Sequence, residues 1–477
     1  MRTWWQICFV ALFLAACSHC GQTETGQNGC LICHEITLDE NHQFSCTSCH
    51  KGDAKAGSKA KAHKGLERWP ASPENAGRFC GSCHRSEILS ISHSSHYNLD
   101  NEIGMVWQAF FPGASAPRLK EIHAVSRPAT EKELVMDLLA RRCLRCHPFY
   151  EGDDYSGVRR GKGCASCHMK TGRKVSHLFR PPETANCLSC HYGNFTGWDY
   201  VGRFEKDYPE DFRAPLERGR HVKRPYGVEW IEMQPDIHFR KGLSCTDCHE
   251  KREFHVEASG PQRPSCVKCH ISLSERIGHL QSSVCKAECE TCHAAWSFWD
   301  QGRSLLRKDA PDPEEWLFLA VQGSSEVEKQ ITEWADMNSG FSFKPFMKDK
   351  INGGLFPGLW FSGFEKRRWA PVELGLGVDG HLSVMRPILS LSLSYVDASE
   401  ETVLDGIRPR AKGRYRLIYP DEAGSGLDMK AMASFCLPYH PHTTAGADFI
   451  RSVFVSNFIN QCRQAILRQK TRTEERY

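Results

Sequence analysis

Between residues 30 and 293 the pattern Cys-x-x-Cys-His occurs nine times. The thiol pairs are Cys30 and Cys33, Cys46 and Cys49, Cys80 and Cys83, Cys143 and Cys146, Cys164 and Cys167, Cys187 and Cys190, Cys245 and Cys248, Cys266 and Cys269, and Cys289 and Cys292. The histidines that follow them are His34, His50, His84, His147, His168, His191, His249, His270 and His293. Cysteines three apart on a helical turn present both thiols to the same side. Each thiol can form a thioether with one haem vinyl group, and the next residue can reach the iron, which is the c-type haem attachment signature. A zinc ribbon also uses Cys-x-x-Cys, but it has no reason to keep the following histidine nine times. Nine covalently attached haem c groups are therefore expected.

This density decides the fold class. Nine motifs in 264 residues leave little room for a polypeptide core, so stacked haems must fill the interior, as disulfides or metals do in small domains. Residues 30–299 read as a haem-dense domain, mostly irregular with short helices. Thr130 and Glu133 form a capping-box pattern that opens a helix running into Cys143.

The histidine supply suits two nitrogen ligands per iron. Ten histidines outside the motifs lie between the first and the last of them: His42, His63, His93, His96, His123, His177, His221, His238, His255 and His279. These are the distal candidates. An internal repeat singles out two of them. Residues 164–191 align without a gap on 266–293, so His177 falls on His279 and Cys187 on Cys289. Repeats reveal the building unit, and here the unit includes a distal histidine. Cys285 aligns with Glu183 and is surplus to the ninth motif.

The N-terminus carries an export pattern. Arg2 precedes an apolar run at 7–16 that is too short to span a bilayer and reads as a signal peptide at 1–16. The run ends Leu14-Ala15-Ala16-Cys17, which resembles a bacterial lipobox and makes Cys17 the expected lipidated residue. Residues 17–29 would then be a lipidated linker, with lipid chains as the membrane anchor. Cys20, Cys285, Cys436 and Cys462 remain for disulfides outside the cytoplasm, with the pairing open. The formal charge of +4 does not point to nucleic acid, because each haem brings two propionates that Lys and Arg can neutralise.

Residues 300–477 hold no haem motif and read as a mixed α+β domain. Ser325 and Glu328 suggest a helix start. Residues 358–397 alternate apolar and polar side chains between glycines, with Leu391-Ser392-Leu393-Ser394 the strongest strand signal. The strands are expected to be antiparallel. Phe454, Val455, Phe458, Ile459, Cys462 and Ile466 lie at helical spacing and predict a C-terminal helix.

Three segments carry a family resemblance: "CLRCHPFYEGDDYSGVRRGKGCASCHM" at 143–169, "YGVEWIEMQPDIHFRKGLSCTDCH" at 226–249, and the pair "RRWAPVELG" and "MRPILSLSLSYVD" within 367–397. They resemble multihaem c-type cytochromes of metal-respiring bacteria, over roughly residues 80–460. The resemblance implies an electron conduit at the outer membrane, on its periplasmic or cell-surface face, with other cytochromes and a porin as partners. Relatives often carry a further motif after a Pro-His-Thr element. Here Pro441-His442-Thr443 is followed only by Cys462-Arg463, so a tenth haem is not expected. The alternative is a multihaem oxyanion reductase, which needs one haem with an open position. The region after 300 is either a cap over the last haems or a docking module.

Two outcomes test this reading. Intact mass should show nine haems on the mature chain; eight or ten would mean that a motif is misread. Cys17→Ser should abolish acyl labelling and release the protein from the membrane fraction.

Overall fold

The computed structural model describes residues 29–171, 177–194, 197–205, 224–256, 266–271, 286–312, 315, 323–336, 345–370, 372–377, 380–387, 389–411, 416–420, 427–431, 436–448, 452, 455–456 and 458–459. Cys17 and the signal segment lie outside the described residues, as do Cys20, His221, His279, Cys285 and Cys462.

From Gly29 to His293 the described helices are short, and the longest is Asp100–Phe110 at 11 residues. Most motifs make one helical turn of their own. Cys46–His50 and Cys164–His168 are α-helical throughout. In six others the histidine N–H donates to the carbonyl of the first cysteine at 2.8–3.0 Å: His34, His84, His191, His249, His270 and His293. This local bond brings the two thiols to one side. Gly163 shows how tightly the turns are packed. It sits at φ 61° before Cys164, and a Cβ there would strike the Ala71 carbonyl. Only glycine tolerates both conditions.

The fourth motif is built differently. Thr130 caps the helix Glu131–Leu138, accepting from Glu133 N–H at 3.3 Å while the Glu133 carboxylate accepts from Thr130 N–H at 3.0 Å. The helix then widens into a π-turn, Leu139–Cys143, which ends on the first cysteine of the motif. Lys350 N–H donates to the Ala140 carbonyl at 2.9 Å, and an outside donor of this kind is a recognised cause of local unwinding.

The second region begins before residue 300, because the strand Ser297–Lys308 crosses that point. This strand is central in a four-stranded sheet, ordered Thr402–Ile407, Leu391–Val396, Ser297–Lys308, Leu359–Ala370. It pairs antiparallel with Leu359–Ala370 but parallel with Leu391–Val396, so the expected all-antiparallel arrangement does not hold. Parallel neighbours need a long crossover, which the chain between them provides. A second sheet runs Leu427–Ala431, Arg416–Pro420, Leu374–Leu376, His381–Pro387, Cys436–Pro438, and Lys286–Ala287 joins it parallel to His381–Pro387. Val455, Phe458 and Ile459 bury against this sheet. Phe454 and Ile466 of the expected C-terminal helix lie outside the described residues.

One apolar core ties the two regions together. Ile103, Trp107 and Phe110 of one helix and Leu134, Leu138 and Leu139 of the next pack with Leu305, Leu359, Trp360, Leu393 and Tyr395 of the four-stranded sheet. A buried ion cluster lies inside it. Asp137 pairs with Arg307 at 3.0 Å and Arg141 at 3.4 Å, and accepts from Trp360 Nε1 at 2.8 Å. All three charged side chains are fully buried. Removing one member of a buried cluster leaves uncompensated charge, at a cost of about 3–5 kcal/mol. Asp137→Ala should therefore loosen the sheet from the haem segment, seen as faster limited proteolysis within residues 297–411. Unchanged cleavage would mean that the cluster does not hold the two regions together.

Candidate functional site

Seven of the nine motifs, from Cys30 to His249, line one continuous cavity of about 3790 Å³. That is several times the roughly 300–1,000 Å³ of a pocket for one small ligand. Its walls bring six motif histidines opposite other histidines, and a seventh pair, His270 with His238, lies beyond the cavity lining. The ring centroids are separated by 6.0 Å for His34 and His63, 5.9 Å for His50 and His177, and 6.2 Å for His84 and His42. They are separated by 6.1 Å for His168 and His255, 6.1 Å for His191 and His96, 6.3 Å for His249 and His442, and 6.1 Å for His270 and His238.

This spacing tests whether the residues fit a haem iron. A metal–imidazole bond of about 2.0–2.1 Å puts the ring centre roughly 3.1 Å from the metal, so two opposed ligands stand roughly 6.2 Å apart. All seven separations match. The distance is too long for ring stacking in contact and too short for a water-filled gap.

Nδ1 anchoring supports the fit. His50 Nδ1 donates to the Glu67 carbonyl at 2.8 Å, His168 to Arg180 at 2.9 Å, His293 to Ala445 at 3.1 Å and His255 to Lys251 at 3.1 Å. His42, His238 and His249 donate to the carboxylates of Asp39, Asp236 and Glu253 at 2.8, 2.9 and 2.7 Å. A bond at Nδ1 fixes the ring and leaves Nε2 with its lone pair for metal, as outer partners of ligating histidines do. Burial pushes the His96 pKa down to about 4, with His191 adding to it, so its imidazole is neutral and able to ligate.

Six of the ten expected distal histidines thus stand opposite a motif histidine: His42, His63, His96, His177, His238 and His255. Two do not, among the described residues. His93 is exposed on the turn after the helix Arg85–Ile91, and His96 three residues on occupies the cavity wall. His123 is exposed and turns its Nδ1 to the Glu121 carbonyl at 2.9 Å. His177 serves His50, which lies before the repeat. Its repeat mate His279 and the candidate His221 lie outside the described residues. His442 is absent from the expected set because it lies beyond the last motif, within the Pro-His-Thr element. The segment that carries it is held at the ninth motif by Ala445 N–H donating to the His293 carbonyl at 2.9 Å and Ala295 N–H donating to Thr443 at 2.8 Å.

The thiols give an order in space. The Cys30 thiol adjoins Cys46, Cys187 adjoins Cys245 and Cys266 adjoins Cys289. Burial pushes Cys80 up to about 11, with Cys164 and Cys49 acting as near neighbours. Burial also raises Cys167, with Cys190 nearby, and Cys248, with Cys269 nearby. The motifs therefore adjoin in the order first, second, third, fifth, sixth, seventh, eighth, ninth. The fourth joins at the side, where Cys146 adjoins Cys190 of the sixth. Arg160 reinforces that junction, donating to the Ser189 carbonyl at 3.2 Å and to Arg145 at 3.3 Å.

His147 of the fourth motif is unlike the rest. It is 2% exposed. Phe149 N–H donates to its Nδ1 at 3.2 Å, and its Nε2 donates to the Lys350 carbonyl at 3.0 Å. Burial pushes its pKa down to about 4, with Arg160 adding to it, so the ring is neutral.

The paired geometry predicts specific spectra. His255→Ala and His442→Ala should each convert one ferric haem from low to high spin, read by electron paramagnetic resonance, with the haem count unchanged. His123→Ala should leave the spectrum as it is. A low-spin spectrum in both of the first two variants would remove these histidines from the ligand set.

Comparison with known proteins agrees with the motif chemistry. Residues 156–194, which hold the fifth and sixth motifs, match the family described as "Doubled CXXCH motif". The multiheme cytochrome c subunit of menaquinone reductase from Nitratidesulfovibrio vulgaris is 26% identical over 152 residues, covering 28% of this chain and 61% of that protein. The chain thus spans about three fifths of that relative's length. No solved structure matches. The motif match and the relative together support a multihaem c-type cytochrome with covalently bound haem c, acting in electron transfer.

Proposed function

We propose that the protein is a nine-haem c-type cytochrome lipoprotein that conducts electrons along closely packed bis-histidine haems. The observation that carries this reading is the set of seven imidazole pairs at 5.9–6.3 Å, six of them along one cavity. The bound haem supplies reversible one-electron exchange at iron. The chain supplies everything else. Its cysteines would tether the groups, and the seven facing histidine pairs would hold the irons between them. Nitrogen ligands lack the potential-raising effect of methionine, so such a row operates at low potential. Arg142, Arg145 and Arg303 line the cavity wall and are suited to neutralise propionates.

The protein acts as a lipid-anchored component of the outer membrane, exchanging electrons with other cytochromes, and a porin is a suitable companion for a route out of the cell. The named relative belongs to a menaquinone reductase, so a quinol-linked protein is a reasonable donor. Nucleic acid has no part in this reading. The region from Ser297 onward is a cap. It packs on the fourth motif through Lys350 and on the ninth through Thr443 and Ala445.

Film voltammetry of the whole protein is the test. A conduit should give overlapping reversible waves below the standard hydrogen electrode, with all haems reducible. Isolated waves at high potential would contradict it. Protease accessibility at residues 51–65 on intact cells then separates the cell-surface from the periplasmic face.

A further inference from the structure

The fourth motif departs from the others in winding, in ligand and in position. Its first cysteine closes a π-turn, and Arg145 N–H donates to the Cys143 carbonyl at 3.0 Å. Both nitrogens of His147 are engaged by protein. Because Phe149 N–H donates to Nδ1, the ring proton sits on Nε2, and that proton is given to the Lys350 carbonyl. A neutral imidazole has one donor and one acceptor nitrogen, so no lone pair remains for a metal.

The acceptor that holds this ring is itself immobile. Lys350 N–H is bound to Ala140, and its ammonium pairs with Asp153 at 2.7 Å and Glu326 at 2.7 Å, with the lysine side chain 2% exposed. Freeing His147 would break two hydrogen bonds of a buried ring and leave the Lys350 carbonyl without this donor. Cys143 and Cys146 nevertheless line the cavity, and the charged neighbours of Cys143 are Glu102, Arg303, Arg142 and Arg145. Three cations against one carboxylate suit a group that carries two propionates. Thus the tethers and counter-charges for a haem are present, while the motif histidine is withheld.

We propose that the haem tethered by Cys143 and Cys146 is not ligated by His147 and keeps an exchangeable coordination position. That position takes a small monodentate ligand: water in the resting protein, and cyanide, azide or imidazole when added. The fourth motif adjoins the sixth, where Cys146 lies beside Cys190 and Arg160 donates to the Ser189 and Arg145 carbonyls, so this ligand-binding site stands beside the row. The inference rests on haem attachment at this motif, and a different measurement tests that attachment.

Peptide mass after proteolysis decides attachment. A haem on the peptide that contains Cys143 and Cys146 supports the parent reading for this motif, and its absence overturns both. Electron paramagnetic resonance of the oxidised wild-type protein then decides coordination. The expected result is one high-spin haem per chain, converted to low spin by imidazole or cyanide. An entirely low-spin wild type, for instance through Met105 on the same cavity wall, overturns the proposal.

His147→Ala assigns the signal. If the variant keeps all its haems and still shows one high-spin haem, no iron bond has been lost and the proposal stands. Two high-spin haems would show that His147 is a ligand and overturn it. If the variant loses the fourth haem and the high-spin signal with it, the assignment is again supported. Loss of the haem with the signal retained overturns it. His255→Ala serves as the positive control, because it should add a second high-spin haem.

Discussion

Two imidazoles about 6 Å apart, facing each other from distant parts of the chain, are the constraint on which the haem segment depends. His50 meets His177, His168 meets His255, and His249 meets His442. Each pair is a long-range bracket in a segment whose described helices are mostly one turn long. Such turns have little stability alone. Binding of metal by groups that the unfolded chain does not bring together is itself folding free energy. Attachment of the haems and closure of the brackets should therefore be one process, with apolar haem faces replacing the side chains that a conventional core would supply.

The sheet region solves the same problem by conventional means. It buries Leu305, Trp360, Leu393 and Tyr395 against the helices on either side of residue 120, and it holds charge internally through Asp137, Arg141 and Arg307. Its connection to the haem segment reaches the coordination chemistry directly. The same loop that places Lys350 N–H on Ala140 also places the Lys350 carbonyl on His147. Helix winding, a buried ion pair and the state of one motif histidine are thus set by a single residue. A cap that merely covered the haems would not need Asp153 and Glu326 around that lysine.

Much of the site was legible because covalent haem attachment imposes a local rule. Two thiols and a histidine must lie within five residues, so each motif is complete in the sequence. Distal ligands obey no such rule. His42, His63, His96, His177, His238 and His255 could be named as candidates, yet nothing local separates His96 from His93, three residues away on the same short stretch. Which of them faces the cavity depends on how the helix Arg85–Ile91 ends. His442 was not among the candidates, since it lies beyond the last motif and its partner His249 is remote in the chain. The alternation at 391–396 announced a strand, but its parallel partner Ser297–Lys308 followed from the crossover and not from the alternation.

The sequence alone determined the number of attachment motifs and the type of cofactor they take, because spacing within a few residues carries that information. Tertiary structure decided the rest. It chose the histidine opposite seven of the motifs, placed the fourth motif beside the sixth, and gave both ring nitrogens of His147 protein partners. The reason is physical. Thioether tethering is a property of adjacent residues, whereas axial ligation needs a ring delivered from elsewhere at about 6 Å. A carbonyl on a distant loop that accepts from His147 Nε2 is an example of what spacing within a motif does not encode.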